Sequence, residues 1–419
     1  MTVPMLKLGD RITLTKGKPP SEMPYFGKGA ELYLSPEFLR GKGVAESAKS
    51  AANGVRVNDD ETILLWDGSN AGEVFRARGG LLSSTMTLIK HSDEFEPEYF
   101  FYAVKRWESY LKGQTSGSGI PHVDKEVLGK LEILKLPPDE QKLVANILNN
   151  LDRAIKQTEA LIAKQQLIRT GLMQDLLTKG IDKHGNLRSE ATHVFKDSPL
   201  GRIPVEWDVK ELKSLLADVD PAMRSGPFGS ALLKEELAEA GIPLLGIDNV
   251  LPEEFVSDYK RFVPPKKAEQ LRRYLVRPRD LMITIMGTVG RCCVVPDDIG
   301  EALSSKHVWT ISIDQAKYSP YVACFQINYS PWVLEHFAKD EQGGIMASIR
   351  AETLRTTKLP VPPRNELEQI ECVLRSISAD LVEKELLSEK LCSFKVGLMH
   401  DLLTGERRVT SLLTQAATQ

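Results

Sequence analysis

Two stretches of the chain place apolar or small residues at alternating steps of three and four over about forty positions, the pattern of a helix with a narrow apolar stripe. The first runs Val144, Ile147, Leu151, Ala154, Thr158, Leu161, Gln165, Ile168, Leu172. The second runs Ile370, Val373, Ile377, Asp380, Lys384, Leu387, Leu391, Phe394, Leu398. Each follows a Pro-Pro step, Pro137-Pro138 or Pro362-Pro363, with Asp139 and Asn365 placed as N-caps and Glu368 completing a capping box with Asn365. Gly180 and Gly405 stand just past the last apolar residues as C-terminal stops. About 39 residues at ~1.5 Å rise make each helix ~58 Å long. Heptads sustained this far predict a coiled-coil seam. Its members are Val144, Ile147, Leu151, Thr158, Leu161 and Ile168 on one helix, and Ile370, Val373, Ile377, Lys384, Leu387, Leu391 and Phe394 on the other.

The two helical stretches are copies. GLMQDLLT at Gly171–Thr178 returns as GLMHDLLT at Gly397–Thr404, an offset of 226, and 12 of 39 positions match without gaps back to Glu140 and Glu366. Upstream, GIPHVDKEVL (Gly119–Leu128) resembles GIMASIRAETL (Gly344–Leu354) with one residue inserted. The chain is therefore a tandem of lobe–helix–lobe–helix. A duplicated unit that pairs with itself implies a pseudo-two-fold axis, hence an antiparallel coiled coil with Thr158 and Lys384 near each other mid-helix as a polar, register-setting layer. The alternative is that each helix packs only on its own lobe.

The lobes themselves alternate in short β-rich runs with Gly turns. ETILLWDGSNAGEVF (Glu61–Phe75) parallels DLMITIMGTVGRCCVV (Asp280–Val295), and LLSSTMTLI (Leu81–Ile89) parallels LSSKHVWTISI (Leu303–Ile313). A helical pattern at Ala231–Ala240 makes the class α+β: two α/β lobes separated by two long helices. The polar, turn-rich Ile181–Trp207 reads as a linker. The domains expected are a first lobe at 1–137, a helix at 138–181, a second lobe at 182–362, and a helix with tail at 363–419.

Composition narrows the class. The 419 residues carry 54 Lys+Arg against 57 Asp+Glu, a net charge of −3, with 42% hydrophobic residues. That is ordinary for a globular chain and argues against collagen-like, disordered or disulfide-scaffold proteins. The five cysteines include no C-x-x-C pair, which disfavours zinc ribbons and fits a reducing cytoplasm. No window approaches the ~20 apolar residues of a membrane span, and the N-terminal segment lacks the apolar stretch of a signal peptide. The expectation is a cytoplasmic protein without membrane association.

Enzyme signatures are missing: no phosphate loop, no H-E-x-x-H, no G-x-S-x-G, and no Asn-Pro-Pro-aromatic loop. PPDEQK (Pro137–Lys142) offers a nuclease-like Asp, Glu and Lys, but acidic residues at a helix start complement its dipole. Local charge departs from the net value. Lys260, Arg261, Lys266, Lys267, Arg272, Arg273, Arg277 and Arg279 share twenty residues with one anion, Glu269, and two aromatics, Phe262 and Tyr274. Such a run is either a solvated face or a phosphate-contacting strip. TKGKPP (Thr15–Pro20) and RSGPFGS (Arg224–Ser230) are turns of Gly, Ser and basic residues that suit phosphates or base edges, or are simply loops.

Two dissimilar lobes, each followed by a repeated helix ending GLMxDLLT, resemble the DNA specificity subunit of type I restriction–modification systems. Supporting segments are GRIPVEWDV (Gly201–Val209), GPFGSAL (Gly226–Leu232), and the turns DGSNAG (Asp67–Gly72) and MGTVGR (Met286–Arg291). The resemblance spans essentially the whole chain. One departure is that the second lobe opens with a lead around Trp207 whereas the first starts abruptly at Met5–Asp10, so an N-terminal contact is expected to be differently built there.

The resemblance implies a non-catalytic subunit whose lobes are target-recognition domains, each reading half of a split, asymmetric double-stranded DNA site. It implies helices that hold the lobes apart and dock two adenine-N6 methyltransferase subunits, with restriction subunits in the full complex. S-adenosylmethionine, ATP and Mg belong on those partners, and none is expected in this chain. The residues proposed to face DNA are Lys16, Lys18, Ser69, Asn70, Arg76, Arg78, Ser84 and Thr85 in the first lobe. In the second they are Arg224, Ser225, Ser230, Thr288, Arg291, Lys306 and His307, with Lys260, Arg261, Lys266, Lys267, Arg272 and Arg273 on phosphates. For each, an ordinary turn or surface role is the competing explanation. A two-lobed protein scaffold without DNA readout is the alternative function; a self-contained nuclease is disfavoured by the lack of a metal-carboxylate cluster.

Two readers on one side of B-DNA sit about one turn, ~34–36 Å, apart. Deleting four residues from both helices should shorten the ruler by ~6 Å, or about 2 bp of DNA rise. The preferred spacer between half-sites, read by methylation-aware sequencing, should contract accordingly; an unchanged spacer rejects the ruler.

Overall fold

A computed structural model describes residues 4–115, 119–341 and 348–410. The tail at 411–419 and residues 344–347 of the second GIPHVDKEVL-like copy lie outside them. Its contacts divide into two units. Unit 1 is Met1–Leu161 with Lys384–Gln419, and unit 2 is Ile162–Glu383. Each unit thus contains one lobe, the near part of its own long helix and the facing part of the other.

In unit 1, strands Ile12–Lys16, Met86–His91, Thr62–Leu65 and Val74–Arg76 lie side by side in that order as an antiparallel sheet. A second sheet orders Glu46–Lys49, Ala30–Leu34, Gly80–Leu82 and Arg56–Val57, with one parallel pairing, Tyr33 opposite Leu81. Helix Pro97–Lys105 buries Tyr99, Phe100, Tyr102 and Val104. Its core continues into Val144 and Leu148 of the first long helix and Leu402 and Leu403 of the second.

Unit 2 repeats the plan in a different sequence. Its main sheet orders Met223–Ser225, Val308–Ile311, Leu281–Thr284 and Cys292–Val294; its second orders Phe262–Val263, Ile242–Leu245 and Leu303–Ser304, again with a parallel pair, Leu244 opposite Leu303. Helix Pro320–Tyr329 corresponds to Pro97–Lys105, and its core reaches Met173, Leu176 and Leu177 of the first long helix and Leu367, Ile370 and Leu374 of the second. The two openings are also alike. Met5–Lys7 pairs with Glu132–Leu134 as Asp208–Glu211 pairs with Lys358–Val361. Ala231–Ala240 is not a helix but two 3-10 turns, Gly229–Ala231 and Lys234–Glu236. Leu232 and Leu237, five residues apart, both pack on the small core around Val263 and Leu303, which one helical face cannot do.

The long helices are Pro138–Thr178 and Arg364–Thr404, 41 residues each. Both start two residues earlier than the caps implied, with Asp139 and Asn365 inside the first turn and Glu368 bonded to Arg364 at 2.6 Å instead of forming a capping box. Proline suits the first helical position because its missing N–H has no intrahelical partner there.

The seam has a different phase from the one expected. Inward positions are Val144, Leu148, Leu151, Ile155, Thr158, Ile162, Gln165, Arg169, Leu172 and Leu176. On the second helix they are Ile370, Leu374, Ile377, Leu381, Lys384, Ser388, Leu391, Lys395, Leu398 and Leu402. From Val144 the step is four and then three, and each position matches its copy at offset 226. Leu161, Ile168, Leu387 and Phe394, assigned to the seam from their apolarity, are 44%, 53%, 48% and 59% exposed. Ile147 and Val373 flank the seam, packing on the lobe cores. The misreading arises at doublets such as Ile147-Leu148 and Leu161-Ile162, where either residue continues the stripe, and at Arg169, Ser388 and Lys395, where the inward residue is polar.

The two charged ones have partners. Arg169 pairs with Glu253 and lies 5.9 Å from the Tyr329 ring; Lys395 pairs with Asp152 and lies 5.9 Å from the Tyr102 ring. Gln165 donates to Asp380 at 2.6 Å. These pairs run antiparallel within each unit. Thr158 bonds back to the Ala154 carbonyl at 2.9 Å, and polar links across the seam include Asp152–Lys395 and Gln165–Asp380.

Each helix start is clamped to the segment after the other helix's end. Glu366, buried, takes both guanidinium nitrogens of buried Arg188 and the amide of Ile181 at 3.0 Å. Its copy Glu140, also buried, takes Arg408 at 2.6 and 2.9 Å. Gly180 is required here: at φ +64, an added Cβ would meet Glu366 Oε1 at 2.1 Å and the Trp207 ring at 2.3 Å. Among the described residues no helix is long and apolar enough to cross a membrane.

Replacing Arg188 by alanine leaves the Glu366 carboxylate buried without its partner, a loss of about 3–5 kcal/mol. Urea unfolding should show it; Leu161→Gln, at an exposed position, should shift stability by no more than about 0.5 kcal/mol.

Candidate nucleic-acid interface

In the first lobe three turns meet at one end of the main sheet. Gly17 follows strand Ile12–Lys16 and donates to Met86 O at 2.9 Å; an added Cβ would meet Ser83 O at 2.0 Å. Glycine there lets the first strand's exit lie against the Ser83–Thr85 turn. The turn after strand Thr62–Leu65 closes on the same place, with Trp66 and Asp67 both donating to Thr85 O at 2.8 and 3.2 Å. Lys16 Nζ is 2.6 Å from Asp67. Lys16, Lys18, Ser69 and Asn70 are exposed and Ser84 and Thr85 half-buried around this rim, beside a cleft lined by Asp67, Ser69, Asn70, Thr85, Tyr33 and Arg40.

The second lobe builds the same junction. Gly226 follows strand Met223–Ser225, donates to Ser305 O at 3.1 Å, and would place a Cβ 2.1 Å from Ser304 O. Ser225 Oγ reaches Lys306 O at 3.4 Å, and Ile285 N donates to His307 O at 2.9 Å. The Met286–Arg291 turn is braced by Thr284, whose hydroxyl donates to Thr288 O and accepts from Arg291 N at 3.0 Å. Ser225, Thr288, Arg291, Lys306 and His307 therefore come together, and exposed Ser230 follows in the loop after Gly226. Burial, then Lys306 and Arg261, pull the His307 pKa below its ordinary value, which keeps the imidazole neutral at pH 7.

Three groups of expected residues are placed elsewhere. Arg224 is 3% exposed and spends its guanidinium on Asp280, Leu275 O, Pro221 O and Ser312. Burial lowers the Arg224 pKa and raises that of Asp280, so this is an interior ion pair, out of reach of DNA. Arg76 turns to the long helix, bonding Asn149 at 2.8 Å and lying 4.6 Å from the Phe101 ring; Arg78 lies 5.4 Å from the Phe38 ring. The basic run is largely neutralised by carboxylates, three of them (Asp248, Glu236 and Asp297) from other segments. Lys260 pairs with Asp258, Arg261 with Asp248, Lys267 with Glu236, Arg272 with Glu269 and Arg279 with Asp297. Lys266 is exposed, and exposed Arg273 lies 5.3 Å from the Tyr274 ring. Residues that the sequence did not single out join the second-lobe rim: Ile247, whose Cδ1 lies 3.9 Å from where a Cβ on Gly287 would stand, and Asp248, which holds Arg261.

Two lobes of one topology, each ending its main sheet in a rim of hydroxyl and basic side chains and each built on both long helices, define a two-lobed recognition protein. Residues 3–165 match the type I restriction modification DNA specificity domain. The chain is 32% identical to the type I restriction enzyme MjaVIII specificity subunit of Methanocaldococcus jannaschii over 97% of this chain and 93% of that one. It is 22% identical to the EcoBI specificity subunit of Escherichia coli over 85% and 75%. The solved S subunit of the type I restriction-modification system from M. genitalium has the same fold, with TM-score 0.62 at 14% identity over 96% of both chains. A chain solved in work on complex assembly and conformational transition of the type I R-M system follows at 0.53, with 15% identity over 97% and 100%. The chain belongs to the family of type I restriction enzyme specificity subunits. It is a non-catalytic member of such an enzyme.

Arg224→Ala should destabilise the second lobe by about 3–5 kcal/mol, through an orphaned Asp280. Arg291→Ala should leave unfolding within about 0.5 kcal/mol of wild type and relax one base preference. A uniform loss across DNA sequences would reassign Arg291 to backbone contact.

Proposed function

We propose that each lobe reads one half of a split, asymmetric DNA site through its turn rim, and that the long helices set the distance between the halves. The observation that carries this is the repeated junction: the same three turns, pinned by Gly17 and Gly226, display Lys16, Ser69, Asn70 and Thr85 in one lobe and Ser225, Thr288, Arg291, Lys306 and His307 in the other. One scaffold with two side-chain sets suits two different half-sites. Arg and Lys suit guanine edges, Asn suits adenine, and hydroxyls position bases or phosphates.

Two adenine-N6 methyltransferase subunits dock on the helices in this reading, and restriction subunits join the full complex. S-adenosylmethionine, ATP and Mg are carried by those partners, and the target base is flipped into the methyltransferase. Support comes from the seam's phase: Leu161, Leu167, Ile168, Leu387, Phe394 and Val396 are apolar yet 44–77% exposed on the helices, which is unusual for chain facing water and ordinary for a surface covered on assembly. The −3 net charge leaves much of the DNA affinity to the assembled complex.

Exchanging residues 1–137 for the corresponding lobe of another specificity subunit should change one half-site only, read by methylation-aware sequencing of the host genome. Change in both halves contradicts independent reading. Duplex binding with the methyltransferase present should weaken steeply with salt; a protein scaffold gives no such slope.

A further inference from the structure

Resting on that reading, we infer that Arg261 is a base-reading residue of the second lobe, oriented by Asp248 to take the O6/N7 edge of one guanine.

The pair is built rather than incidental. Arg261 leads into strand Phe262–Val263, and its carbonyl accepts from Leu244 N at 2.9 Å, which fixes the backbone against strand Ile242–Leu245. The guanidinium then crosses Gly246, where an added Cβ would meet Nη2 at 2.3 Å and push the side chain from this position. Asp248, two residues on, binds Nη2. Its turn is set by Asn249, 2% exposed, which accepts from Gly246 N at 2.9 Å and donates to Val256 O and Asp258 O at 2.8 and 3.2 Å. The side chains of Arg261 and Asp248 remain 32% and 29% exposed, and Nη1 makes no hydrogen bond among the described residues.

The pair also lies where reading would take place. Ile247 adjoins Asp248, and its Cδ1 lies 3.9 Å from where a Cβ on Gly287 of the Met286–Arg291 turn would stand. Arg261 contributes to the lowered pKa of His307, on the neighbouring turn. An arginine that only gripped phosphate would gain nothing from a carboxylate beside it, because the carboxylate repels the same phosphate. An arginine held in one plane loses less freedom on binding and presents its fork to a planar acceptor pair. In the first lobe the carboxylate-held cation of the rim is Lys16 on Asp67, at the position of Ser225 and not of Arg261; it is a point charge without a bidentate fork, so the inference concerns the second lobe alone.

The test uses the chain assembled with its methyltransferase subunits and the wild-type site found by methylation-aware sequencing. Each guanine of the second-lobe half-site is replaced singly by 7-deazaguanine, which removes N7 while keeping Watson–Crick pairing. One position should weaken wild-type binding about 5- to 150-fold, and Arg261→Ala should abolish the sensitivity at that position only. Asp248→Asn removes a negative charge beside the DNA: it should lower discrimination at that base pair without weakening binding to non-cognate duplex. The inference is overturned if no 7-deazaguanine affects wild-type binding. It is equally overturned if Arg261→Ala weakens all duplexes alike, or if Asp248→Asn raises affinity for all sequences with discrimination unchanged. Failure of the wild-type complex to bind its site specifically would instead reject the reading of the lobes as DNA readers.

Discussion

Everything in this fold hangs on two buried carboxylates at the starts of the long helices. Glu140 and Glu366 stand where a helix exposes unbonded amides and favours negative charge, yet each reaches past its own helix to an arginine beyond the end of the other, Arg408 or Arg188. Burying an ion pair costs desolvation that its Coulomb attraction barely offsets, so its value lies in geometry. A fork-to-carboxylate contact admits little sliding, and a heptad seam on its own tolerates slips of seven residues. The two clamps, at equivalent positions of the duplicated sequence, set register where the apolar stripe does not. The seam then needs no apolar uniformity, and Arg169, Gln165 and Lys395 occupy inward positions with polar partners of their own.

The architecture was legible in the sequence because duplication leaves a mark that survives divergence: GLMxDLLT, the paired Pro-Pro steps, and the turn and Ser-Ser segments fall on equivalent elements of the two lobes. The seam's phase was not legible, since doublets such as Leu161-Ile162 offer both continuations, and what settles the choice is a contact such as Arg169 with Glu253, 84 residues away. The rim was legible in part. Turns rich in Gly and Ser do converge, and Lys16, Ser69, Asn70, Thr85, Ser225, Thr288, Lys306 and His307 lie on them. Arg224 and the Lys260–Arg279 run misled for one reason: a cation's sequence neighbours do not reveal Asp280, Asp248, Glu236 or Asp297, which neutralise it from elsewhere in the fold.

That neutralisation bears on how selectivity and affinity divide. Cations held by carboxylates attract polyanion weakly at long range but are fixed in direction at short range, and direction is what distinguishes base pairs. A near-neutral chain with oriented cations suits a subunit that selects a sequence while the rest of the complex supplies grip.

Unit 1 is discontinuous in the chain, and this sets an order of construction. Leu402, Leu403 and Val409 belong to the core beneath the first lobe, whereas unit 2 is one uninterrupted stretch, Ile162–Glu383. Synthesis runs from the N-terminus and domains tend to close as their residues emerge. The lobe made second thus has all its residues first, while the lobe made first waits, its core open on one side, for nearly the last turn of the last helix.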